Sequence, residues 1–379
     1  MSEKMKLGEI CNFINGRAFK PSEWDKKGLP IVRIQNLNDE NAEFNFCSKA
    51  IEDKYIIEDN QLLFSWSGTP GTSFGAFFWN RGKAVLNQHI FKVIPKININ
   101  IEFLRYLLNG NLDIIISKSH GGVGLQHITK RELEEIIVDI PDDKRQEYVA
   151  KTLNGITKII NTRKEQLKQF DEIIKSQFVE MFQSGNYPKE ELGKLCDVRD
   201  GTHDSPKYLE ESGYKFITSK NIINNEIDFS EVKYISKQDY DKFNTRSKVN
   251  YGDILMPMIG TIGKPMIVNI PDDEIDFAIK NVALIKFLDN SQVTNIYIKN
   301  LLDSDYFENA ILQNKRGGTQ KFIALSDIRK MQIEIPPIEL QNQFANIVKQ
   351  IDKQKFESVI KAEKEIEKIQ KNIYYKWGR

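Results

Sequence analysis

The sequence has few cysteines, no long apolar run and almost no net charge. Three cysteines in 379 residues are too few for a disulfide framework, so we expect the chain to work in the reducing cytoplasm. No apolar run is long enough to cross a bilayer and no hydrophobic signal region follows Met1, so we expect neither a membrane-spanning nor a secreted chain. With 54 Lys and Arg against 53 Asp and Glu, the net charge neither indicates nor excludes a polyanionic partner.

The motifs of several enzyme classes are also missing. The sequence has no Asn/Asp-Pro-Pro-aromatic loop of amino-methyltransferases, and no glycine-rich cofactor loop that follows a strand and opens a helix. Gly263-Lys264-Pro265 lacks the glycine spacing and the Ser/Thr of a phosphate-binding loop. We interpret Pro141-Asp-Asp-Lys144 as a helix start with acids in its first turn rather than as a nuclease motif. His120 and His127 have no third ligand nearby, so we predict no metal site there. Because the enzyme motifs above are missing, we also predict that this chain is not catalytic.

One stretch, residues 146–185, has apolar residues spaced alternately by three and four. This spacing predicts a helix with one narrow apolar stripe, which needs a partner helix. The helix is expected to end within Gln183–Pro188, where Gly185 suits a left-handed cap and Pro188 blocks continuation. At about 1.5 Å per residue the stripe is roughly 50 Å long. Its members are Val149, Leu153, Ile156, Ile160, Leu167, Phe170, Ile174 and Met181.

A second stripe of this kind runs along the C-terminal residues 341–379. A five-residue step from Ile351 to Phe356 interrupts its spacing, so the register slips there. We predict that the two helices pair as an antiparallel coiled coil; the alternative is that each packs on its own globular domain. The stripe comprises Phe344, Val348, Ile351, Phe356, Val359, Ile366, Ile369 and Ile373.

The chain also repeats itself. Leu7-Gly-Glu-Ile-Cys11 recurs as Leu192-Gly-Lys-Leu-Cys196, an offset of 192 − 7 = 185. Similar pairs follow in the same order, and the offset grows to 341 − 146 = 195 where Gln146 and Gln341 begin the two helices. The pairs are Gly28–Leu37 with Gly213–Ile222, Gln61–Gly71 with Asp253–Gly263, Gly121-Gly122 with Gly317-Gly318, and Ile140-Pro141 with Ile335-Pro336.

Short β-branched and aromatic segments dominate each globular half and are bounded by Gly, Pro or Asn. We therefore predict an α+β fold, with two repeated globular domains separated by two long antiparallel coiled-coil helices and related by a pseudo-two-fold axis. The predicted limits are 1–145 and 186–340 for the domains, and 146–185 and 341–379 for the helices. Two modules held roughly 50 Å apart match the scale of DNA grooves, although a scaffold holding two proteins would share this geometry.

With this organisation, the sequence resembles the DNA-specificity subunits of type I restriction-modification systems. The resemblance rests on the Leu-Gly-x-hydrophobic-Cys start of each unit, Asp200-Gly-Thr-His-Asp-Ser-Pro206, the Gly-Thr-x-Gly hairpins and Ile335-Pro-Pro-Ile-Glu-Leu-Gln341. Their order, repeated over essentially the whole chain, is specific. The first half departs from it, because Ile140–Gln146 lacks the second proline and Asn15–Phe19 replaces the Thr-His-Asp-Ser-Pro loop.

The resemblance implies that each globular unit is a target-recognition domain that reads one half of an asymmetric, interrupted DNA sequence. The helices would set the gap and dock two adenine-N6 methyltransferase subunits, and a motor-nuclease subunit would join for cleavage. S-adenosylmethionine, ATP and Mg would belong to those partners. Alternatives are the specificity partner of a fused methyltransferase-nuclease, a free-standing enzyme, and a coiled-coil scaffold without a DNA role.

Polar loops that follow apolar strands are the candidates for DNA contact, and ordinary turns or solvated strand ends are the alternative for each. Arg33 suits guanine, Asn and Lys suit adenine edges or phosphate, and the glycine loops suit phosphate through their backbone amides. We expect Trp66 and Trp79, which flank the first hairpin, to pack in the core. The candidates are Arg17, Lys20, Arg33, Gln35, Asn36, Ser67, His120, Gln126 and His127 in the first half, and Thr202, His203, Ser205, Lys207, Ser219, Lys220, Asn221, Arg316, Gln320 and Lys321 in the second.

Overall fold

The chain forms two compact units. The structure, a computed structural model, describes residues 2–377 apart from residues 40, 69–73, 123–124, 184, 211, 224, 260–262, 290, 306 and 308–321. Unit 1 comprises Met1–Lys164 and Ile360–Arg379, and unit 2 comprises Glu165–Val359. Within the described part of the chain, no helix is both long and apolar enough to cross a membrane.

The strands of unit 1 are short, as their apolar runs predict. In chain order they are β1 (Glu3–Lys6), β2 (Cys11–Asn15), β3 (Leu29–Val32), β4 (Asn45–Cys47), β5 (Ile56–Ile57), β6 (Gln61–Ser65), β7 (Ser67–Gly68), β8 (Gly75–Trp79), β9 (Ala84–Leu86), β10 (Ile90–Pro95), β11 (His120–Gly122), β12 (Leu125–His127) and β13 (Ile137–Ile140). They pair in the orders β2-β10-β6-β8, β4-β3-β9-β5, β11-β12-β7 and β1-β13. Strands β3 and β9 are parallel, so their carboxyl ends lie at the same edge.

The strand β6 is buried on both faces because an apolar core packs on each side of its sheet. Leu62 and Phe64 join a core that also contains Phe103 and Leu104, whereas Leu63 points to a second core with Trp79 and Leu86. This alternation is the ordinary two-residue period of a strand. The four-stranded sheet β2-β10-β6-β8 is therefore covered on both sides.

The helices of unit 1 lie mainly against one face of this sheet. They are α1 (Leu7–Ile10), α2 (Ile34–Asn38), α3 (Ile101–Gly110), α4 (Leu112–Ser117), α5 (Lys130–Glu134) and the first part of α6 (Asp143–Phe182). Asn100 caps α3 by accepting a hydrogen bond from the Phe103 amide at 3.0 Å. Val149, Ala150 and Leu153 of α6 are buried in the same core as α3.

Unit 2 repeats this plan. Its strands are β14 (Lys189–Glu191), β15 (Cys196–Asp200), β16 (Tyr214–Thr218), β17 (Ile222–Ile223), β18 (Glu226–Ile227), β19 (Lys233–Ile235), β20 (Ile254–Pro257), β21 (Met266–Ile267), β22 (Phe277–Lys280), β23 (Val282–Phe287) and β24 (Gln332–Glu334). The order β15-β23-β20-β21 matches β2-β10-β6-β8, and the pair β14-β24 matches β1-β13. Strands β16 and β22 are parallel, as β3 and β9 are. The predicted repetition of a mixed helix-and-sheet unit is confirmed.

The remaining helices belong to unit 2 except for the last. They are α7 (Leu192–Leu195), α8 (Lys237–Ser247), α9 (Asn295–Leu302), α10 (Leu325–Arg329), α11 (Ile338–Lys355) and α12 (Lys361–Trp377), with a π-helical turn at Phe356–Ile360 between α11 and α12. Helix α12 lies against α3 in unit 1. In unit 2, Phe344 and Val348 of α11 are buried in one core with Ile174 and Phe178 of α6.

Within unit 2 the two long helices run antiparallel. The Lys355 ammonium is 2.6 Å from the Asp171 carboxylate, whereas the Phe344 ring lies 5.5 Å from that of Phe178 and 5.4 Å from that of Phe182. As residue numbers rise along α6, those of its contacts on α11 fall. The predicted antiparallel pairing therefore exists inside this unit, where the helices also pack on their own domain.

The predicted stripes need correction at several positions. The central helix itself ends at Phe182, directly before the segment Gln183–Pro188 that was expected to stop it. Its inward residues after Ile174 are Phe178 and Phe182, whereas Met181 is only partly buried. Phe356, with 62% of its surface exposed, and Ile369, with 48%, are not seam residues.

The π-helical turn explains the slip at Phe356. An extra residue in the turn carries Phe356 outward and returns Val359 to the interior, where it is 1% exposed. Of the other predicted seam residues, Val149, Leu153, Ile174, Phe344, Val348 and Ile351 are buried, and Ile156, Ile160, Leu167, Phe170 and Ile366 are partly buried. The side chain of Ile373 lies outside the described residues.

Candidate nucleic-acid interface

Polar segments of unit 2 meet where the parallel strands β16 and β22 end. The Thr202 amide donates to the Ile279 carbonyl at 3.0 Å, and the Asn281 amide donates to the Thr202 carbonyl at 3.3 Å. The Met258 amide donates to the Asn281 carbonyl at 3.3 Å, and the Ile323 amide donates to the Met258 carbonyl at 3.1 Å. We call the surface formed by residues 201–207, 219–221, 258–259, 280–281 and 322–323 the unit 2 edge.

Unit 1 has the same arrangement where β3 and β9 end. The Arg17 amide donates to the Leu86 carbonyl at 2.9 Å, the Trp66 amide to the His89 carbonyl at 3.2 Å, and the Ile128 amide to the Trp66 carbonyl at 3.2 Å. These bonds correspond to those of Thr202, Met258 and Ile323 in unit 2. We call the surface formed by residues 15–17, 33–35, 66–68, 87–89 and 126–128 the unit 1 edge.

A glycine permits the close approach of two strands at each edge. A Cβ atom on Gly16 would lie 2.0 Å from the Asn87 carbonyl oxygen, and one on Gly201 would lie 2.4 Å from the Ile279 carbonyl oxygen. Real Cβ atoms do not come so close to backbone, so only glycine fits at either position. The two glycines are 201 − 16 = 185 residues apart, the offset of the sequence repeat.

A chain of hydrogen bonds orients side chains at the unit 2 edge. His203 Nε2 lies 2.9 Å from the Asp200 carboxylate, and His203 Nδ1 lies 2.7 Å from Asn281 Oδ1. Arg246 also bonds to Asp200, which is 6% exposed. A buried carboxylate with two basic partners is well neutralised, and it fixes the imidazole plane of His203.

Lysines surround this chain of bonds. Lys280 donates to Ser205 Oγ at 2.8 Å, and the Lys242 ammonium is 2.9 Å from the Asp204 carboxylate. Lys207 and Lys220 are exposed. Ammonium groups of this kind suit the phosphate backbone of a nucleic acid.

The unit 1 edge combines basic groups with aromatic rings. The Arg33 guanidinium lies 5.7 Å from the centroid of the Trp24 ring, and Arg33 Nε is buried without a hydrogen-bond partner in the described part of the chain. Arg17 pairs with Glu23 and lies 4.8 Å from the Phe19 ring. Lys20 and Gln35 are exposed.

His127 of the unit 1 edge lies near two other histidines, His89 of the same edge and His120. His120 and His127 face each other across β11 and β12, with ring centroids 6.4 Å apart. His120 Nε2 lies 2.5 Å from Glu132, and hydrogen bonds from Thr129 and His120 lower the pKa of the Glu132 carboxyl to about 2. Burial and the neighbouring His127 lower the pKa of His89.

The sequence matches the family described as the type I restriction modification DNA specificity domain over residues 2–169 and 186–368. The chain belongs to this family.

Relatives of known type support the assignment to the specificity subunits. The chain is 23% identical to the type I restriction enzyme EcoBI specificity subunit of Escherichia coli, over 92% of this chain and 78% of that protein. It is 24% identical to the MjaVIII specificity subunit of Methanocaldococcus jannaschii, over 98% of this chain and 90% of that protein. We therefore describe the chain as a non-catalytic DNA-specificity subunit, which disfavours the enzyme and scaffold alternatives.

Solved structures show the same fold. The S subunit of a type I restriction-modification system from M. genitalium is 12% identical and aligns with a TM-score of 0.54 over 99% of this chain and 96% of that chain. A chain from a study of complex assembly and conformational transition of a type I system is 17% identical and aligns with a TM-score of 0.53, over 100% of this chain and 97% of that chain.

Most predicted contact residues of the specificity subunit lie at the two edges, but three have internal roles. Asn36 is 1% exposed, and its side-chain amide donates to the carbonyls of Ala42 and Glu43 while its oxygen accepts from the Arg33 amide. Asn221 bonds in the same way to Thr218 and Asp228.

Ser67 is 8% exposed, and its backbone pairs with His127. Burial argues against base contact by Asn36 and Ser67, and the hydrogen bonds of Asn221 engage its amide internally. Asn36 and Asn221 share one arrangement, since each accepts a hydrogen bond from the amide three residues before it and donates to a carbonyl in the turn that follows.

Several predicted residues lie outside the part that the structure describes. They are Arg316, Gln320 and Lys321, the side chain of Gln126, and residues 69–71 and 260–262 of the Gly-Thr-x-Gly hairpins. Of the other second-half candidates, Thr202 accepts a hydrogen bond from the Asp204 amide at 3.0 Å, and Ser219 Oγ donates to the Asn281 carbonyl at 3.1 Å.

Sequence reasoning missed the central segments of both edges. Asn87, Gln88 and His89 follow the buried strand β9, Lys280 is the last residue of β22, and Asn281 follows it. A signal was present, because each polar group comes directly after an apolar strand, as the predicted candidates do. Trp79 is 1% exposed, as predicted, whereas Trp66 is half-buried and donates to Asn15 Oδ1 at 3.1 Å. Among the described residues, no group of three or more His, Cys, Asp or Glu is placed to hold a metal ion.

Proposed function

We propose that this specificity subunit recognises an asymmetric, interrupted DNA sequence, with one half read by each unit. One observation carries the proposal: both units build the same kind of edge with equivalent backbone hydrogen bonds, but the side chains on the two edges differ. Equivalent frames would present each reader to the duplex in the same way, and different side chains would select different bases. In this proposal residues 1–145 and 186–340 are the target-recognition domains, and helices 146–185 and 341–379 set the gap.

The proposal assigns catalysis to partner subunits. Two adenine-N6 methyltransferase subunits would bind the helices, and a motor-nuclease subunit would join them, all in the cytoplasm. S-adenosylmethionine, ATP and Mg would bind to these partners. The similarity of the chain to specificity subunits of type I restriction enzymes supports this assembly.

Exposed apolar side chains on α6 support partner docking. In unit 1 the helix exposes 70% of Tyr148 and 46% of Ile159, and in unit 2 it exposes 47% of Ile173. Large apolar groups on an otherwise charged helix are typical of protein interfaces. We expect Ile159→Lys to reduce co-purification of the methyltransferase, while Ile137→Lys, a change at an exposed isoleucine on β13, leaves it intact. Equal recovery of the methyltransferase with both variants would contradict docking at this helix.

The recognition proposal is tested by mapping N6-methyladenine in genomic DNA. Cells that express the chain with its methyltransferase should carry methylation in a motif of two short defined sequences separated by undefined bases, and deletion of the chain should abolish that methylation. A continuous motif, or methylation independent of the chain, would contradict the proposal. Binding of the purified complex to duplex DNA should also weaken steeply as salt rises.

A further inference from the structure

Asn281 lies at the point where the segments of the unit 2 edge meet. Its amide donates to the Thr202 carbonyl at 3.3 Å, and its carbonyl accepts hydrogen bonds from the Met258 amide at 3.3 Å and from Ser219 Oγ at 3.1 Å. Its φ of 54° lies in the left-handed region, which asparagine tolerates better than most residues. The backbone of Asn281 is thus fixed from several sides in a conformation that is uncommon and is often found at functional sites.

The side chain of Asn281 is oriented as well as its backbone. His203 Nδ1 lies 2.7 Å from Asn281 Oδ1, and His203 is itself held by Asp200. A carbonyl oxygen has two lone pairs, so Oδ1 keeps one acceptor position. Within the part of the chain that the structure describes, Nδ2 of Asn281 has no hydrogen-bond partner. One donor and one acceptor on the same amide therefore remain for a ligand.

We propose that Asn281 is a base-reading residue of unit 2 that contacts an adenine, and that His203 is its positioning residue. Adenine presents the N7 acceptor and the N6 donor side by side in the major groove, and an asparagine amide matches both. The inference rests on the proposed function, because it names the base class read at the unit 2 edge.

A phosphate contact is a poorer match for this amide. The edge already offers Lys207, Lys220 and Lys280, whose charges attract phosphate without needing a fixed orientation. A neutral amide whose plane is set by His203, Asp200 and Arg246 is instead suited to a directional, two-point contact. The buried carboxylate of Asp200 would thus serve to orient the Asn281 amide through His203, an orientation that a phosphate contact does not require.

The test is to map N6-methyladenine in DNA modified by the full complex carrying Asn281→Gly. Glycine accepts the left-handed backbone, so this variant removes the side chain without adding strain. We expect an unchanged first half-site and gap, and a second half-site in which discrimination falls about tenfold or more at one adenine position. Asn225→Gly is the matched control, since Asn225 also has a left-handed φ of 63° but lies between β17 and β18.

Each outcome decides the inference. A bipartite wild-type motif that Asn281→Gly leaves unchanged would overturn the role of Asn281 and leave the proposed function standing. A wild-type motif that is not bipartite would overturn the proposed function and, with it, the inference. If Asn281→Gly abolishes modification, Asn281→Asp decides, because it keeps the size but lacks the Nδ2 donor: a changed base at one position supports the inference, and an unchanged motif contradicts it.

His203 variants test the positioning role separately. His203→Ala should relax the same single position as Asn281→Gly, to a smaller extent, because the amide is then present but not oriented. His203→Gln should restore part of the selectivity, since its amide can donate to Asn281 Oδ1. General weakening of modification by His203→Ala without a change at that position, or failure of His203→Gln to restore selectivity, would indicate a merely structural role.

Discussion

Gln146 and Gln341 show how one residue type holds equivalent places in the two units. Gln146 is 2% exposed, accepts a hydrogen bond from the Asn100 amide at 2.9 Å and donates to the Pro141 carbonyl at 2.9 Å. Gln341 is 0% exposed, accepts from the Thr294 amide at 2.8 Å and donates to the carbonyls of Gln292 and Pro336. Each glutamine ties the start of a long helix to the loop before α3 or α9.

We predict that Gln146→Leu destabilises unit 1 by about 2–3 kcal/mol, because it leaves a buried amide and a buried carbonyl without partners. Urea unfolding followed by tryptophan fluorescence measures this, because the four tryptophans, Trp24, Trp66, Trp79 and Trp377, all belong to unit 1. Gln35→Leu, at an exposed position, is the control and should shift the free energy by less than about 0.5 kcal/mol. Equal effects would show that the buried hydrogen bonds do not matter.

Glu132 makes the stability of unit 1 depend on pH in the acidic range. Hydrogen bonds from Thr129 and His120 lower the pKa of its carboxyl to about 2, below the value of about 4.3 in an unfolded chain. A lowered folded-state pKa means that the ionised carboxylate stabilises the fold above about pH 4.3, and that this stabilisation is lost as the pH falls toward 2.

We therefore predict that the stability advantage of wild type over Glu132→Gln is constant above about pH 5 and shrinks steadily below about pH 4.3. The thermal midpoint of unit 1 at pH 6 and at pH 3 measures it, with Glu147→Gln on α6 as the control. An advantage that is the same at both pH values would contradict the assigned hydrogen bonds.

Three asparagines show which side-chain roles could not be predicted from the sequence. The repeat placed Asn36 and Asn221 at equivalent positions, and the structure gives them equivalent hydrogen bonds, but to internal carbonyls rather than outward. The partners of Asn36 lie within seven residues of it, at Ala42 and Glu43, whereas the partner of the Asn281 side chain, His203, is 78 residues away in the chain. Many of the predicted candidates thus lie at the two edges, whereas Asn281 was not among them; their contact with DNA stays a prediction.

At the scale of elements, apolar spacing predicted the long helices well and their inward faces only in part. The spacing of Val149, Leu153 and Ile174 follows one stripe, and these residues are buried. The stripe then moves to Phe178 and Phe182, which pack on Tyr297 of α9 in the adjacent globular core and on Phe344 of the partner helix α11. A helix that packs on a domain as well as on another helix needs a wider apolar face than a two-stranded coiled coil. The globular core decides which additional positions of the helix must be apolar, so heptad spacing alone could not predict Phe178 and Phe182 as buried residues.

We predict that Phe178→Ala destabilises unit 2 by about 3–5 kcal/mol and that Phe356→Ala changes stability by less than about 0.5 kcal/mol. Phe178 is 4% exposed and contacts three aromatic rings, whereas Phe356 is 62% exposed. Urea unfolding followed by circular dichroism compares them. A larger effect for Phe356→Ala would contradict the outward position of Phe356 and support the seam position predicted from the sequence.

At the scale of the whole molecule, the repeat was the most informative feature of the sequence. It predicted two units of the same construction, and the structure confirms them down to the paired backbone hydrogen bonds of Gly16 with Ile90 and of Gly201 with Val282. The offset of the repeat grows from 185 to 195 residues along the chain, but the sequence does not show which helices or strands contain the extra residues. The structure shows differences in several segments, including helix α8, which precedes β20 in unit 2.

The central claim is that one chain carries two reading units whose spacing is set by its own helices. The unit boundaries lie after Lys164 and after Val359, within the two helical segments. Duplicating four residues at both places adds about 6 Å of helix and keeps each unit intact.

The most direct measurement is the methylation motif produced by this double duplication. The account predicts that both half-sites stay the same and that the undefined gap lengthens by about one to two base pairs, at 3.4 Å per pair. An unchanged gap with both half-sites retained would contradict it.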